Sequence, residues 1–272
     1  MYVSIMNDFQ KEVVFRITEI SKNRQLRDAG TAFMRASMLP RYSYNFSWLG
    51  RPIIQYPQDM VAMQELVWQI KPDLIIETGI AHGGSLIFSA SMLALLDYCE
   101  TIEKGAPLDR RVSRRKVLGV DIDIRAHNRA AIEAHAMADK IEMIQGSSID
   151  PTIIAHVHRR AKDHDRILVC LDSNHTHDHV LAELEAYAPL TSRGSYCVVF
   201  DTIVEELPDD MFANRPWGKG NNPKTAVSEY FRRLKEGGRT GADGSPLDFE
   251  IDSMIENKLL ITVAPNGYLK RV

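Results

Sequence analysis

Residues 74–86 read LIIETGIAHGGSL, an apolar run that ends in an acid, Glu77, and breaks at once into Gly79, Gly83 and Gly84. An apolar run of this length bounded by turn residues and followed by a helical pattern reads as a strand buried on both faces, the environment of a parallel sheet covered by helices. Glycine lets the backbone turn tightly and approach a ligand closely. The stretch therefore predicts strand, tight loop and helix at the carboxyl edge of an open α/β sheet, where ligands bind.

Working outward, the runs KVLGVDID (116–123), KIEMIQGSS (140–148), RILVCLDSNH (166–175) and GSYCVVFDT (194–202) repeat the theme. Amphipathic segments over about 83–97, 125–139 and 150–163, and HDHVLAELEAYAPL (177–190), alternate with them. That β-α-β-α order predicts a mostly parallel sheet with helices on both faces. After residue 201 comes the Pro, Gly and Asn-rich DDMFANRPWGKGNNPKTA, then a helix AVSEYFRRL, a glycine-rich turn, and two strand-like runs, LDFEID (247–252) and LLITVAP (259–265). A closing antiparallel hairpin is expected there. Ahead of the sheet, 8–28 and 58–70 read as helical, with the aromatic loop YSYNFSWLGRPIIQYPQ between them. No repeat is present, so residues 1–56 are expected to form a helical extension with an aromatic lid, and 57–272 the main domain.

A net charge of −3 on 272 residues gives no concentrated positive field for nucleic acid. Small-molecule substrates fit better. Two of the three cysteines, Cys170 and Cys197, lie in apolar runs, which suits reduced thiols in a core. No basic n-region with an apolar stretch opens the chain, and no window approaches the roughly 20 apolar residues of a membrane span, so a cytoplasmic protein is expected.

The glycine loop lacks both the G-x-G-x-x-G of dinucleotide folds and the G-K-[ST] of a phosphate loop. It opens with an acid, which repels phosphate but tolerates a cation such as S-adenosylmethionine. Glu77, Gly79, His82, Gly83 and Ser85 are therefore candidates to hold that cofactor. About forty residues on, Asp121, with Asp123 in reserve, is placed to accept hydrogen bonds from both ribose hydroxyls. Ser147 and Ser148 follow the third strand, where they meet an adenine edge or simply cap a helix, as does Asp150.

Asp172 and Asp201 end adjacent strands. Two carboxylates on one rim repel unless a cation joins them, and a hard divalent ion such as Mg²⁺ or Mn²⁺ would do so. His175 stands three residues past Asp172, with an ordinary pKa suited to accepting a proton near neutrality. His177 and His179 crowd the same segment and are expected on the solvent side of a helix start. Tyr44, Trp48 and Trp217 would stack on a substrate face, together with Tyr42 and Phe46.

Taken together, WLGRPIIQYPQD, PDLIIETGIAHGGS, GVDID, LDSNH, VVFDT and RPWGKGNNPKTAV resemble the cephalosporin hydroxylase family from about residue 45 onward. Its members, despite the name, are S-adenosylmethionine-dependent methyltransferases. The resemblance implies a Rossmann-like class I methyltransferase sheet in residues 57–272 and a divalent-metal site. Related sugar and macrolide O-methyltransferases use D-x-x-H, the acid as metal ligand and the histidine as base, and Asp172 and His175 match that spacing. Asp172 is also expected beside the cofactor. Such enzymes carry Glu-Asp at the fifth strand end, whereas this chain reads Phe200-Asp201, so Thr202, water or Glu205 is expected to complete the metal sphere. The implied reaction is O-methylation of a hydroxyl on a sugar or glycosylated natural product, by a homo-oligomer. Three rivals are an oxygenase using His175, His177 and Asp172, an NAD-dependent oxidoreductase, and a non-enzymatic binding protein on a methyltransferase scaffold.

Overall fold

A computed structural model describes residues 6–107, Asp109 and 113–272. The first five residues, part of the segment examined above for targeting signals, lie outside that set. Helix α1 (Asp8–Lys22) starts at an Asn7–Gln10 capping box. Helix α2 (Arg24–Met38) follows after a single residue: Asn23, in an extended conformation, ends α1 and caps α2 by accepting from the Leu26 N–H. One helix was expected over 8–28; the extended Asn23 divides it. The aromatic loop contains a short hairpin, β1 (Phe46–Trp48) and β2 (Arg51–Ile53), turned by Leu49 and Gly50, both with positive φ. Helix α3 (Pro57–Ile70) leads into the sheet.

The sheet strands are β3 (Leu74–Thr78), β4 (Lys116–Asp121), β5 (Ile141–Gln145), β6 (Ile167–Leu171), β7 (Tyr196–Val199), β8 (Phe249–Ile251) and β9 (Tyr268–Arg271). Their spatial order is β5-β4-β3-β6-β7-β9-β8. The first five run parallel, and β9 runs antiparallel to both neighbours. Chain order reverses between β3 and β6, which makes the edge beyond those two strands the natural ligand crevice. Thr78 pairs in register with both Val120 and Leu171, so these strands end nearly flush. The loops that carry the acids therefore emerge on one rim.

Alternate residues of each strand feed different cores, as the pleat requires. Ile75 and Cys170 face one cluster, which holds Leu86, Ile87, Leu93 and Leu96 of α4 (Gly84–Glu103). Ile76 and Val169 face another, which holds Val157 of α6 (Pro151–Ala161), Leu184 of α7 (His177–Tyr187) and Tyr230 of α8 (Pro223–Lys235). The short α5 (Ala126–Glu133) follows β4. Contrary to expectation, one described helix, α4, is long and apolar enough to cross a membrane, with a mean hydropathy of 1.3. One face of it, including Leu86, Ile87, Leu93 and Leu96, is buried in the core, while Leu95, Tyr98 and Ile102 are exposed.

The C-terminal hairpin was placed one segment too early. LLITVAP is not a strand: α9 (Ser253–Leu259) runs into it, and the antiparallel partner of β8 is β9 at 268–271. The physical reason is Asp59 on α3, which is fully buried. Its carboxylate accepts from the Thr262 hydroxyl, the Val263 N–H at 3.0 Å and the Tyr268 hydroxyl at 2.8 Å. The Val263 amide is thereby bound to a side chain, and the apolarity of LLITV reflects loop burial.

Burial raises the Asp59 carboxyl from its ordinary 3.8 to about 6, against the lowering effect of its three donors. The native state thus holds the proton more tightly than the unfolded chain, so the stabilising increment from this proton is full below about pH 4 and lost as pH rises through about 6. The stability gap between wild type and the Asp59→Asn variant is expected to narrow over that interval and stay constant above it, measured by denaturant unfolding. A gap independent of pH would show that Asp59 does not titrate there.

Candidate active site

The loop between β3 and α4 is held by contacts from three other parts of the chain. The Asp121 carboxylate accepts from the Ile80 N–H at 2.8 Å and the Ala81 N–H at 3.2 Å through Oδ2, and from the Asp123 N–H at 3.0 Å through Oδ1. Asn128 of α5 donates to the Ala81 carbonyl at 2.9 Å, and Arg51 of β2 donates to the His82 carbonyl and to Asn128 Oδ1. Ala81 is thereby kept at φ 46°, a left-handed conformation unusual for alanine. Gly79 is required by proximity: at φ 91°, a Cβ there would lie 2.1 Å from the Asp172 carbonyl oxygen. Gly84 answers a similar need, since a Cβ would lie 2.1 Å from the Pro52 carbonyl oxygen. The glycines thus let two loops and a hairpin meet; Gly83 packs against Ile132.

Glu77 is buried one layer below the loop and accepts from the Ser85 hydroxyl. Burial pushes its carboxyl up to about 7, opposed by that hydrogen bond. Gly79, His82 and Ser85 line a cavity of about 740 Å³. Asp172, His175, Asp201, Tyr44 and Trp217 line the same cavity. Glu77, Gly83, Asp121, Asp123, Ser147 and Ser148 lie outside its wall.

At the rim, Asp172, His175 and Asp201 each present a ligand atom, all within 4.8 Å of one another, the one such group among the described residues. His175 Nε2 lies 3.3 Å from Asp201 Oδ2, and its ring meets Trp217 edge-on at 4.7 Å between centroids. Desolvation first, then the neighbouring Asp201 charge, hold the Asp172 carboxyl well above the ordinary carboxylate range. A cation would relieve both causes. Asp201 takes a left-handed φ of 55° as the chain leaves β7.

Several expectations need correction. Thr202 is fully buried and its hydroxyl donates to the Pro265 carbonyl at 2.7 Å, so it is not part of the cluster. Glu205 is likewise committed, accepting from the Gly220 N–H at 2.8 Å and from the Asn222 amide. Phe200 is buried in the core. Trp48 does not reach the cavity: it packs on Phe88 at 4.9 Å and donates to Ser91 Oγ. Phe46 and Tyr42 pack against each other, Tyr42 also against Tyr56. Ser148 is buried with its hydroxyl 3.0 Å from His179 Nε2, while Asp150 is the cap of α6 and Ser147 accepts from the Asp150 N–H. His177 and His179 are partly buried and each has a side-chain partner. His177 Nδ1 lies 2.8 Å from Thr225 Oγ1, and His179 joins Ser148, Ser173 and the buried Glu183. Arg51 and Asn128 escaped sequence reasoning because nothing in their local pattern marks a partner 31 or 47 residues away.

Asp121→Ala is expected to speed amide exchange at Ile80 and Ala81 by about tenfold or more, since both lose a charged acceptor, while Asp123→Ala leaves those amides near the wild-type rate. Mass spectrometry of deuterium uptake over residues 79–83 measures both. Unchanged uptake in Asp121→Ala would show that the loop is held without that carboxylate.

A family model described as Rhamnosyl O-methyltransferase/CmcI matches residues 40–272. Rhamnosyl O-methyltransferase of Mycobacterium tuberculosis (strain H37Rv) is 31% identical over 215 residues, covering 78% of this chain and 73% of the relative. The Mycobacterium leprae protein of the same name is 29% identical over 226 residues, covering 83% and 82%. Among solved structures, CmcI with magnesium and S-adenosylmethionine aligns with a TM-score of 0.53 at 17% identity, over 84% of this chain and 77% of that one, a likeness of fold. With its mostly parallel sheet and the family match over residues 40–272, the chain belongs to the rhamnosyl O-methyltransferase/CmcI family.

Proposed function

We propose that this chain transfers the methyl group of S-adenosylmethionine to a hydroxyl of a sugar or glycosylated small molecule, assisted by a divalent metal. The observation that carries the reading is that the glycine loop and the Asp172–His175–Asp201 cluster face one cavity. The names of the mycobacterial relatives and the magnesium and S-adenosylmethionine of the CmcI structure support it.

Methyl transfer needs an acceptor oxygen in line with the S–CH₃ bond and a place for its proton. The donor set suits a metal: two carboxylates, one of them desolvated beside the other's charge, with the first position of the usual acid pair taken by Phe200. Mg²⁺ or Mn²⁺ on Asp172 and Asp201 would lower the hydroxyl pKa and fix the oxygen. His175 takes the proton at Nε2, the N–H so formed faces Asp201 Oδ2 3.3 Å away, and the ring is held edge-to-face against Trp217. Gly79, His82 and Ser85 form the cofactor side of the cavity, Glu77 supports Ser85 from below, and Asp121, outside the wall, holds the loop through the Ile80 and Ala81 N–H groups. Tyr44 and Trp217 form the acceptor wall.

A second reading, with His175 as the third metal ligand, is favoured by the position of its Nε2 within the cluster. One series of variants separates the two. If His175 is the base, His175→Ala lowers turnover by about 10² to 10⁴ while calorimetric affinities for S-adenosylmethionine and Mn²⁺ stay near wild type, and Asp172→Ala loses both metal affinity and turnover. Loss of Mn²⁺ affinity in His175→Ala as large as in Asp201→Ala would make the imidazole a ligand. Full activity in EDTA would remove the metal from the mechanism, and failure of S-adenosylmethionine to bind wild type would end the reading altogether.

A further inference from the structure

Two cations on the cavity wall have no task in this chemistry. Arg41 enters from the segment between α2 and β1, and Arg215 from the loop between β7 and α8. Among the described residues neither pairs with a carboxylate. Asp210, on the same wall, forms an ion pair with neither of them. Each guanidinium instead lies over an aromatic ring, Arg41 at 5.7 Å from the Tyr44 centroid and Arg215 at 5.3 Å from the Trp217 centroid. Both rings line the cavity too. A guanidinium laid on a ring is restrained in orientation while its N–H edge stays free, and that edge matches a carboxylate or phosphate in bidentate fashion.

Arg41 is also held in place at a cost in backbone strain. Its φ is 54°, a left-handed conformation that glycine or asparagine would adopt more easily. Its N–H donates to the Met38 carbonyl, and its own carbonyl accepts from the Tyr44 N–H and the Asn45 amide, so the turn that strains Arg41 also brings Tyr44 beneath its side chain. Arg215 is tied to the cluster through one ring, because Trp217 carries the guanidinium on its face and meets His175 edge-on. Asp172 and Asp201 would repel an anion at the reacting end, whereas the two arginines would draw it toward their own side.

We propose that Arg41 and Arg215 form an anion clamp, and that the acceptor is an anionic sugar, carrying a carboxylate or phosphate away from the hydroxyl that is methylated. This rests on the methyl-transfer reading above. The clamp sets acceptor class, while Asp172, His175 and Asp201 act on the hydroxyl.

The test titrates protein loaded with S-adenosylhomocysteine with glucuronic acid, glucose 1-phosphate, inorganic phosphate and glucose, by calorimetry and by tryptophan fluorescence. The anions are expected to bind at least about tenfold tighter than glucose, each of Arg41→Gln and Arg215→Gln to reduce that preference about threefold or more, and the double variant to abolish it, with S-adenosylhomocysteine affinity unchanged. Arg→Lys at either position, which keeps charge but loses the planar fork, is expected to fall between wild type and glutamine. Tighter binding of glucose 1-phosphate assigns a phosphate, and of glucuronic acid a carboxylate. No preference for anions in wild type, or a preference that survives in the double variant, overturns the clamp. Failure of S-adenosylhomocysteine to bind overturns the methyl-transfer reading instead.

Discussion

Two carboxylates brought together where strands end are the constraint around which the site is arranged. Asp172 and Asp201 leave adjacent parallel strands, β6 and β7, and cannot both stay charged at the edge of a core without a counter-charge. A divalent ion held by the two carboxylates would supply it. The flush register of β3, β4 and β6 fixes where those acids emerge, and Gly79 fixes how closely the loop before α4 can approach them. Any side chain at residue 79 would have to displace the backbone that carries Asp172.

That loop is rigid for reasons distributed across the chain. Its amides point at Asp121, its carbonyls at Asn128 and Arg51, and its helix packs against the backbone of β2. The β1–β2 hairpin is therefore a structural part of the loop before α4. A carboxylate at the end of β4 that already receives three N–H groups has little unoccupied capacity, which makes Asp121 first an organiser of the loop.

The sheet was legible because its central strands β3, β4, β6 and β7 are buried on both faces and leave apolar runs, and the acids at their ends stand out against those runs. The antiparallel close of the sheet was legible as well, but its second strand was misplaced, since LLITV is apolar through contact with α3 and not through pairing. At the site, spacing alone brought out Asp172, His175 and Asp201. It was silent on direction: Thr202 is next to Asp201 in sequence yet turns toward Pro265, and Trp48 lies between the cavity-lining Tyr44 and Pro52 yet serves Phe88 and Ser91. Hydrogen bonds between residues far apart in sequence, such as those of Arg51 and His179, leave no periodic trace.

The buried acid of α3 bears on how the chain is made. Asp59 finds its three donors in residues 203 to 209 positions later, within the last part of the polypeptide. During synthesis from the N-terminus, the first half of the sheet can assemble while that carboxylate still lacks every partner and must stay hydrated or protonated. The face of α3 that meets residues 259–268 therefore remains open until those residues have been made, and its closure falls to them. A chain lacking residues 259–268 would accordingly carry Asp59 without its donors, a local mark that sets it apart from one in which they are present.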